Sequence, residues 1–236
     1  ITQILPRKNF LQRPPIANID QLFIVASQAS PVTDPYLIDK VSVIALRQGI
    51  QPILVLNKQD VDPSQDFRQI YEKAGFPVLS TSAETGEGVE ELRQMLRGKV
   101  SAFTGNSGIG KSSLLNRLEE GVLMETGSIS RISRGRHTTR RVELFFVAEG
   151  YLADTPGFSS FDISRMEHIP KEELEQYFPE FEPFLGQCRF SGCAHCKEPD
   201  CAVDQGAREG AIAPSRLESY RKLYEEMAQW KEWENK

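Results

Sequence analysis

Along the first two-thirds of the chain, short apolar runs alternate with stretches whose apolar residues recur at helical spacing. LFIVAS, residues 22–27, is a run of the buried-strand kind. DPYLIDKVSVIALRQG then follows helical spacing and stops at Gly49, which suits a helix C-cap. PILVLN is strand-like again, Asp66 to Ala74 reads as a helix ended by Gly75, and FPVLSTS is a third strand. GVEELRQML is a helix, VSAFTG a fourth strand, and SSLLNRL a helix beyond a glycine-rich loop. VELFFVA and YLADT are separated only by Glu149 and Gly150, which suits a hairpin turn. The repeated strand–helix order predicts an α/β domain, a parallel sheet with helices on both faces. From Asp162 the texture changes: acidic residues, prolines and phenylalanines lead to a cluster of cysteines. A helix from about Pro214 closes the chain, with Leu217, Tyr220, Tyr224 and Met227 at the spacing of a face packed on its neighbours.

Length and composition set broad limits. At 236 residues the chain can hold one good-sized domain and a smaller one. Its 39% hydrophobic and 26% charged residues are those of an ordinary globular protein. No apolar run approaches the roughly 20 residues that span a bilayer, so no membrane partner is expected. The opening ITQILPRKNFLQRPP is neither a signal nor a transit peptide. Its strand-like ITQILP and basic, proline-marked continuation read as the exit of a preceding domain. The net charge of −5 gives no overall basic footprint for nucleic acid. Locally, RISRGRHTTRR from Arg131 to Arg141 carries five arginines and no acid, which fits an RNA contact and a solvated loop equally well. The four cysteines all lie between Cys188 and Cys201, and nothing suggests secretion, so a cytoplasmic location is expected.

The glycine-rich loop carries the first chemistry. Gly105-Asn106-Ser107-Gly108-Ile109-Gly110-Lys111-Ser112 matches the P-loop pattern, between a strand and a helix as that motif requires, with Ser113 following. Such glycines turn consecutive backbone N–H groups inward to cradle phosphate oxygens at a helix N-terminus. Lys111 is expected to reach the β- and γ-phosphates and the Ser112 hydroxyl to ligate Mg²⁺.

Asn57-Lys58-Gln59-Asp60 identifies the base. It follows a strand, at the sheet edge where ligands bind. Asp60 can accept two hydrogen bonds from guanine N1–H and its exocyclic amine, a donor pair adenine lacks. Asn57 is expected to brace the loop, and the Lys58 stem to lie along the ring. Ser82 and Ala83, after another strand, would offer backbone N–H groups to guanine O6. Asp154-Thr155-Pro156-Gly157 supplies a carboxylate near Mg²⁺ and, at Gly157, an N–H facing the γ-phosphate. Thr138 or Thr139, with Thr139 favoured, would complete the Mg²⁺ shell from a switch loop ordered by GTP.

The motifs run in an unusual order: guanine segment, serine–alanine pair, P-loop, threonine switch, DTPG. Cutting a Ras-like domain between its phosphate-sensing strand and the next, and joining the old ends across Leu96 to Val100, gives this order. Domain termini commonly lie close together, so the sheet survives. The chain reads as a circularly permuted GTPase in which the segment after DTPG leads straight into a C-terminal domain.

This order, with GNSGIGKSS, GRHTTR, DTPGF and CRFSGCAHCKEPDCAV, resembles the RsgA (YjeQ) family of small-ribosomal-subunit biogenesis GTPases, from about Arg13 to the C-terminus. The resemblance implies an N-terminal OB-fold whose last strand and exit are residues 1–15, a permuted GTPase domain over 16–162, and a zinc-binding, mainly helical domain over 163–236. It implies GTP hydrolysis to GDP and phosphate, stimulated by the small ribosomal subunit and its rRNA, and a checkpoint late in that subunit's assembly. Oligomeric state is open in the sequence, with a monomer as the default.

Cys188, Cys193, His195, Cys196 and Cys201 offer five ligands where structural zinc takes four. The family pattern assigns Cys188, Cys193, His195 and Cys201, with Cys196 a spare thiol beside a competing Cys193-x-x-Cys196 pair. Ras positions the attacking water with a glutamine just past the motif glycine, whereas here Gly157 is followed by Phe158, Ser159 and Ser160, none an obvious substitute. The attacking water is therefore expected to be held from elsewhere, with His137 the candidate against an ordinary loop histidine, and basal turnover to be slow. That gap leaves a second reading, a GTP-gated RNA-binding module with negligible intrinsic catalysis.

Overall fold

The computed structural model describes Gln3 and residues 5–11, 15–126, 142–155 and 169–229, without the side chains of 120–126 and Glu143. Its strands are β1 (Phe10–Leu11), β2 (Ile16–Ala17), β3 (Gln21–Ala26), β4 (Gln51–Leu56), β5 (Val78–Ser80), β6 (Val100–Gly105), β7 (Glu143–Val147) and β8 (Gly150–Asp154). The helices are α1 (Pro35–Arg47), α2 (Asp66–Lys73), α3 (Val89–Leu96), α4 (Lys111–Thr126), α5 (Ala202–Arg208) and α6 (Pro214–Ala228), with 3-10 helices at Lys171–Tyr177 and Pro179–Phe184.

β1 and β2 pair as a short antiparallel ribbon, and the other six strands form one sheet in the order β5-β4-β3-β6-β8-β7. All neighbours are parallel except β7, which runs antiparallel to β8 on the edge. The chain leaves β3 toward β4 and β5, then returns to the other side of β3 as β6. Strand order thus reverses between β3 and β6, and the carboxyl ends of such a pair open the crevice where α/β sheets bind ligands.

Side-chain alternation divides the core. Leu22, Ile24 and Ala26 pack with Ile38, Val41 and Ile44 of α1 and Phe67 and Tyr71 of α2 on one face. Phe23 and Val25 pack on the other face with Leu92 and Leu96 of α3 and Leu114, Leu115 and Leu118 of α4. Both faces are covered, which is why β3 reads as an unbroken apolar run. Asp34 caps α1, its Oδ1 accepting from Tyr36 N–H at 2.9 Å.

α1 is buried on more than one side, because Val43 joins the third core with Leu174, Phe178, Phe181, Val203, Leu217, Tyr220 and Leu223 of the C-terminal unit. An ion cluster crosses the same seam. Arg216 on α6 donates Nη1 to Asp39 of α1 at 2.7 Å and Nε to Glu180 at 2.6 Å. Its side chain is 1% exposed, those of Asp39 and Glu180 0% and 3%. The guanidinium lies 4.5 Å from the Phe178 ring centre and 5.1 Å from that of Phe76. Burial opposes its charge, yet the two carboxylates raise its pKa, while burial raises Asp39 against the pull of Arg216.

In the ITQILP stretch, Gln3, Leu5 and Pro6 carry no regular secondary structure and Leu5 is exposed. One expectation changes. The hairpin turns one residue early, on Ala148 and Glu149, both left-handed at φ 52° and 58°. Gly150 opens β8 instead, where a Cβ would lie 2.1 Å from Leu96 O and 2.8 Å from Lys99 O. Close approach to the 96–99 turn claims the glycine that turn chemistry would have used.

Candidate functional site

β6 ends at Gly105 and α4 starts at Lys111, so the phosphate-loop sequence joins a strand's carboxyl end to a helix's amino end. Two glycines are sterically required. Gly105 has φ +149° and a Cβ there would sit 2.3 Å from Val25 O; Gly110 has φ +101° and a Cβ would sit 2.3 Å from Asn57 Nδ2. Ile109 is fully buried and pins the loop to the core of α3 and α4. Asn106 is half-buried, and Ser107, Gly108, Ser112 and Ser113 are exposed. Lys111 Nζ donates to Gly105 O at 2.7 Å and Asn106 O at 2.9 Å. Burial lowers the Lys111 pKa, and the Asp154 carboxylate opposes that shift.

Asn57 ties the guanine-side segments together. Its Nδ2 donates to Ile109 O at 2.9 Å, while its Oδ1 accepts from Thr81 Oγ1 at 3.2 Å and Ala83 N–H at 3.1 Å. One 2% exposed side chain therefore links the loop after β4, the loop after β5 and the phosphate loop. Ser82 Oγ donates to Asp60 Oδ1 at 2.5 Å, fixing the carboxylate at the exposed mouth of the cleft. Gln59 N–H is held by Thr81 O at 3.2 Å. Lys58 takes φ 68° and reaches Ser30 O with Nζ at 2.6 Å, so its stem lies across the cleft to the loop after β3.

The expectation that Ser82 and Ala83 both present open N–H groups is not met. Ser82 N–H donates to Glu87 O at 3.0 Å, closing the 82–87 turn, and Ala83 N–H is bound to Asn57. Ser82 acts here through its hydroxyl. On the phosphate side, Asp154 closes β8, 6% exposed and in register with Phe103 on the neighbouring strand. Thr155 Oγ1 donates to Phe103 O at 2.6 Å. His137, Thr138, Thr139, Pro156, Gly157 and Phe158, with all five arginines of 131–141, lie outside the described residues.

A second cluster sits in the C-terminal unit. One ligand atom from each of Cys188, Cys193, His195 and Cys201 falls within 4.8 Å of the others. Cys188 Sγ is 3.6 Å from His195 Nδ1 and 4.0 Å from Cys201 Sγ, and His195 Nδ1 is 3.3 Å from Cys201 Sγ. Tetrahedral zinc sets sulfur pairs about 3.8 Å apart and sulfur–nitrogen pairs about 3.6 Å apart. The donor set fits zinc. Burial pushes the Cys193 thiol up to about 12 and raises Cys201 as well, so these thiols need a cation to ionise. Cys196 turns away from the four, its Sγ 3.3 Å from Ala194 O.

Against known proteins, residues 4–164 match the sequence model of the RsgA GTPase. A Caldanaerobacter subterraneus protein named small ribosomal subunit biogenesis GTPase RsgA is 45% identical over 232 residues, 96% of this chain and 77% of that protein. The chain belongs to the RsgA GTPase family. A Thermotoga petrophila protein of the same name is 42% identical, over 96% of this chain and 78% of its own length. The crystal structure of YjeQ from Thermotoga maritima superposes with a TM-score of 0.77 at 38% identity, covering 98% of this chain and 79% of that one. YloQ, described as a circularly permuted GTPase, gives 0.77 at 33% identity over 97% and 75%. An RsgA-family GTPase hydrolyses GTP, and this chain is such an enzyme. The permuted fold read from motif order is the fold found. No helix among the described residues is long and apolar enough to cross a membrane.

Sequence reasoning missed the polar residues that join the chain's two halves, Asp39, Glu180 and Arg216. The available signal was Asp39, a lone carboxylate among Ile38, Val41, Val43 and Ile44 on a helix buried on several sides.

Proposed function

We propose that this chain is a guanine-specific GTPase that acts on the small ribosomal subunit during its biogenesis, with turnover stimulated by that subunit and its rRNA. The observation that carries this reading is the Asn57 bridge. It locks the base-recognition loop to the phosphate loop, so that Asp60 and Lys111 address the two ends of one nucleotide. In this reading Gly105, Asn106, Ser107, Gly108, Ile109, Gly110, Lys111, Ser112 and Ser113 hold the phosphates. Asn57, Lys58, Gln59, Asp60, Ser82 and Ala83 enclose the base. Bound Mg²⁺ and GTP supply a polarised γ-phosphoryl group, and the chain's task is orientation and charge.

Ser112 and Asp154, with Thr139, are the metal-side residues; Lys111 neutralises phosphate charge, Gly157 offers an N–H to the γ-phosphate, and His137 positions water. Zn²⁺ is held by Cys188, Cys193, His195 and Cys201 and organises the C-terminal unit. We divide the chain into 1–15, 16–162 and 163–236; the third core, drawn mostly from residues after 168 with Val43 of α1, suits the last unit. A cytoplasmic monomer suits the subunit-biogenesis role of its named relatives.

The test is GTP turnover by this chain with and without purified small ribosomal subunits, alongside Asp60→Asn supplied with xanthosine triphosphate. Stimulation, with the variant changing nucleotide, supports the proposal. Guanine binding with no stimulation by subunits overturns the ribosome-coupled part and favours a GTP-gated RNA-binding module.

A further inference from the structure

We infer that Glu175 is a positioning residue of the zinc site: its carboxylate holds His195 in the tautomer that turns Nδ1 toward the thiols. His195 is 3% exposed and its two ring nitrogens meet different neighbours. Nδ1 lies 3.3 Å from Cys201 Sγ and 3.6 Å from Cys188 Sγ, while Nε2, on the opposite edge, lies 3.0 Å from Glu175 Oε2. An ionised carboxylate only accepts hydrogen bonds, so the proton sits on Nε2. Neutral imidazole carries one N–H, and its bare lone pair is then on Nδ1, inside the thiol cluster.

Other contacts fix the ring but leave this choice open. Phe181 and Tyr220 lie with ring centroids 6.1 Å from the imidazole, and Arg221 Nε donates to His195 O at 3.1 Å. These set the plane and the backbone, and none touches a ring nitrogen. Glu198, the nearer carboxylate in sequence, is occupied elsewhere: Oε1 accepts from Ala194 N–H at 3.2 Å, Oε2 from Cys196 and Lys197 N–H at 3.0 Å. It shapes the loop between the ligands. Glu175 comes instead from the 3-10 helix Lys171–Tyr177, twenty residues before the histidine, anchored by buried Leu174. Without it, the tautomer with its proton on Nδ1 aims that proton at sulfur, and zinc must displace it first. A carboxylate on a ligand histidine also makes the other nitrogen more basic.

The inference rests on the zinc reading of the cluster. Zinc affinity is measured by competition with a chromophoric chelator for the full chain, Glu175→Leu and Glu175→Gln. Cobalt(II)-substituted samples report ligand-field absorption. Leucine is expected to weaken zinc binding by about 10–100-fold and alter the cobalt bands, while glutamine, which keeps an acceptor oxygen, restores most of both. The Gln variant preserves side-chain size, so loss of the hydrogen bond is separated from loss of packing. Equal affinity in wild type and Leu, or a Gln variant as weak as Leu, overturns the role of Glu175. Failure of the wild-type chain to take up zinc overturns the zinc reading itself.

Discussion

Replacing Arg216 by alanine is expected to cost about 3–5 kcal/mol of stability. The magnitude follows from what remains. Asp39 and Glu180, with side chains 0% and 3% exposed, lose a charge partner at 2.7 and 2.6 Å. Tyr71 OH still donates to Asp39 at 2.9 Å, but a neutral donor does not offset a buried carboxylate. The guanidinium also fills space among Phe178, Phe76 and Tyr71, so a void is left. Against a total stability of about 5–15 kcal/mol, such a loss is large. Because the cluster straddles two cores, it is also expected to break cooperativity, splitting urea unfolding into two steps of smaller slope. The assay is urea denaturation followed by far-ultraviolet circular dichroism and tyrosine fluorescence. A variant that loses under about 1 kcal/mol with one coincident transition refutes the argument, since surface-pair energetics then describe the cluster.

Three further outcomes are expected. Gly110→Ala drives a Cβ to 2.3 Å from Asn57 Nδ2 at φ +101°, so titration with a fluorescent GDP analogue should give a roughly 100-fold weaker affinity, from strain plus one orphaned buried donor; wild-type affinity refutes the Asn57 bridge. Ser82→Ala removes the hydroxyl at 2.5 Å from Asp60 and should weaken GTP binding about tenfold while ATP binding stays unchanged, a small effect because Asp60 is exposed. Equal loss for both nucleotides refutes that role. Removing zinc with a chelator should abolish the near-ultraviolet signal of the packed Phe178, Phe181 and Tyr220 rings, while GDP affinity changes less than about tenfold, since the β3–β6 crevice has its own cores; loss of nucleotide binding refutes that independence.

What the sequence made legible was local. The strand–helix pattern, the motif order and the cysteine spacing each lie within a few residues, and each carries its own geometry: a glycine before a helix, an Asn-Lys-x-Asp after a strand. The sheet followed because both cores come from one alternation, Leu22, Ile24 and Ala26 against Phe23 and Val25. The rest was illegible for the opposite reason. Arg216 meets Asp39 across 177 positions, and nothing near either residue announces the other. Gly150 looked like a turn residue because turns favour glycine, but packing against Leu96 O used it first. Ser82 looked like a main-chain donor, yet Glu87, five residues on, takes its N–H.

Permutation costs the nucleotide cleft little, because every motif loop among the described residues leaves a parallel strand at the same sheet edge. The loops after β3, β4, β5 and β6, with Asp154 and Thr155 at the end of β8, lie at that edge whichever strand begins the chain. The altered connectivity shows in α1. It follows β3, whose exit loop receives Lys58 Nζ at Ser30 O and brings Pro31 within 4 Å of where a Cβ on Gly108 would lie. Its far side carries Val43 and Asp39 into the C-terminal unit, and Tyr36 OH and Lys40 Nζ reach Glu226 of α6 at 2.5 and 3.0 Å. One helix therefore borders both the cleft and the unit that holds the thiol cluster. Packed cores shift between discrete arrangements rather than bending continuously, so any movement of that unit must either carry α1 with it or break the Arg216 cluster.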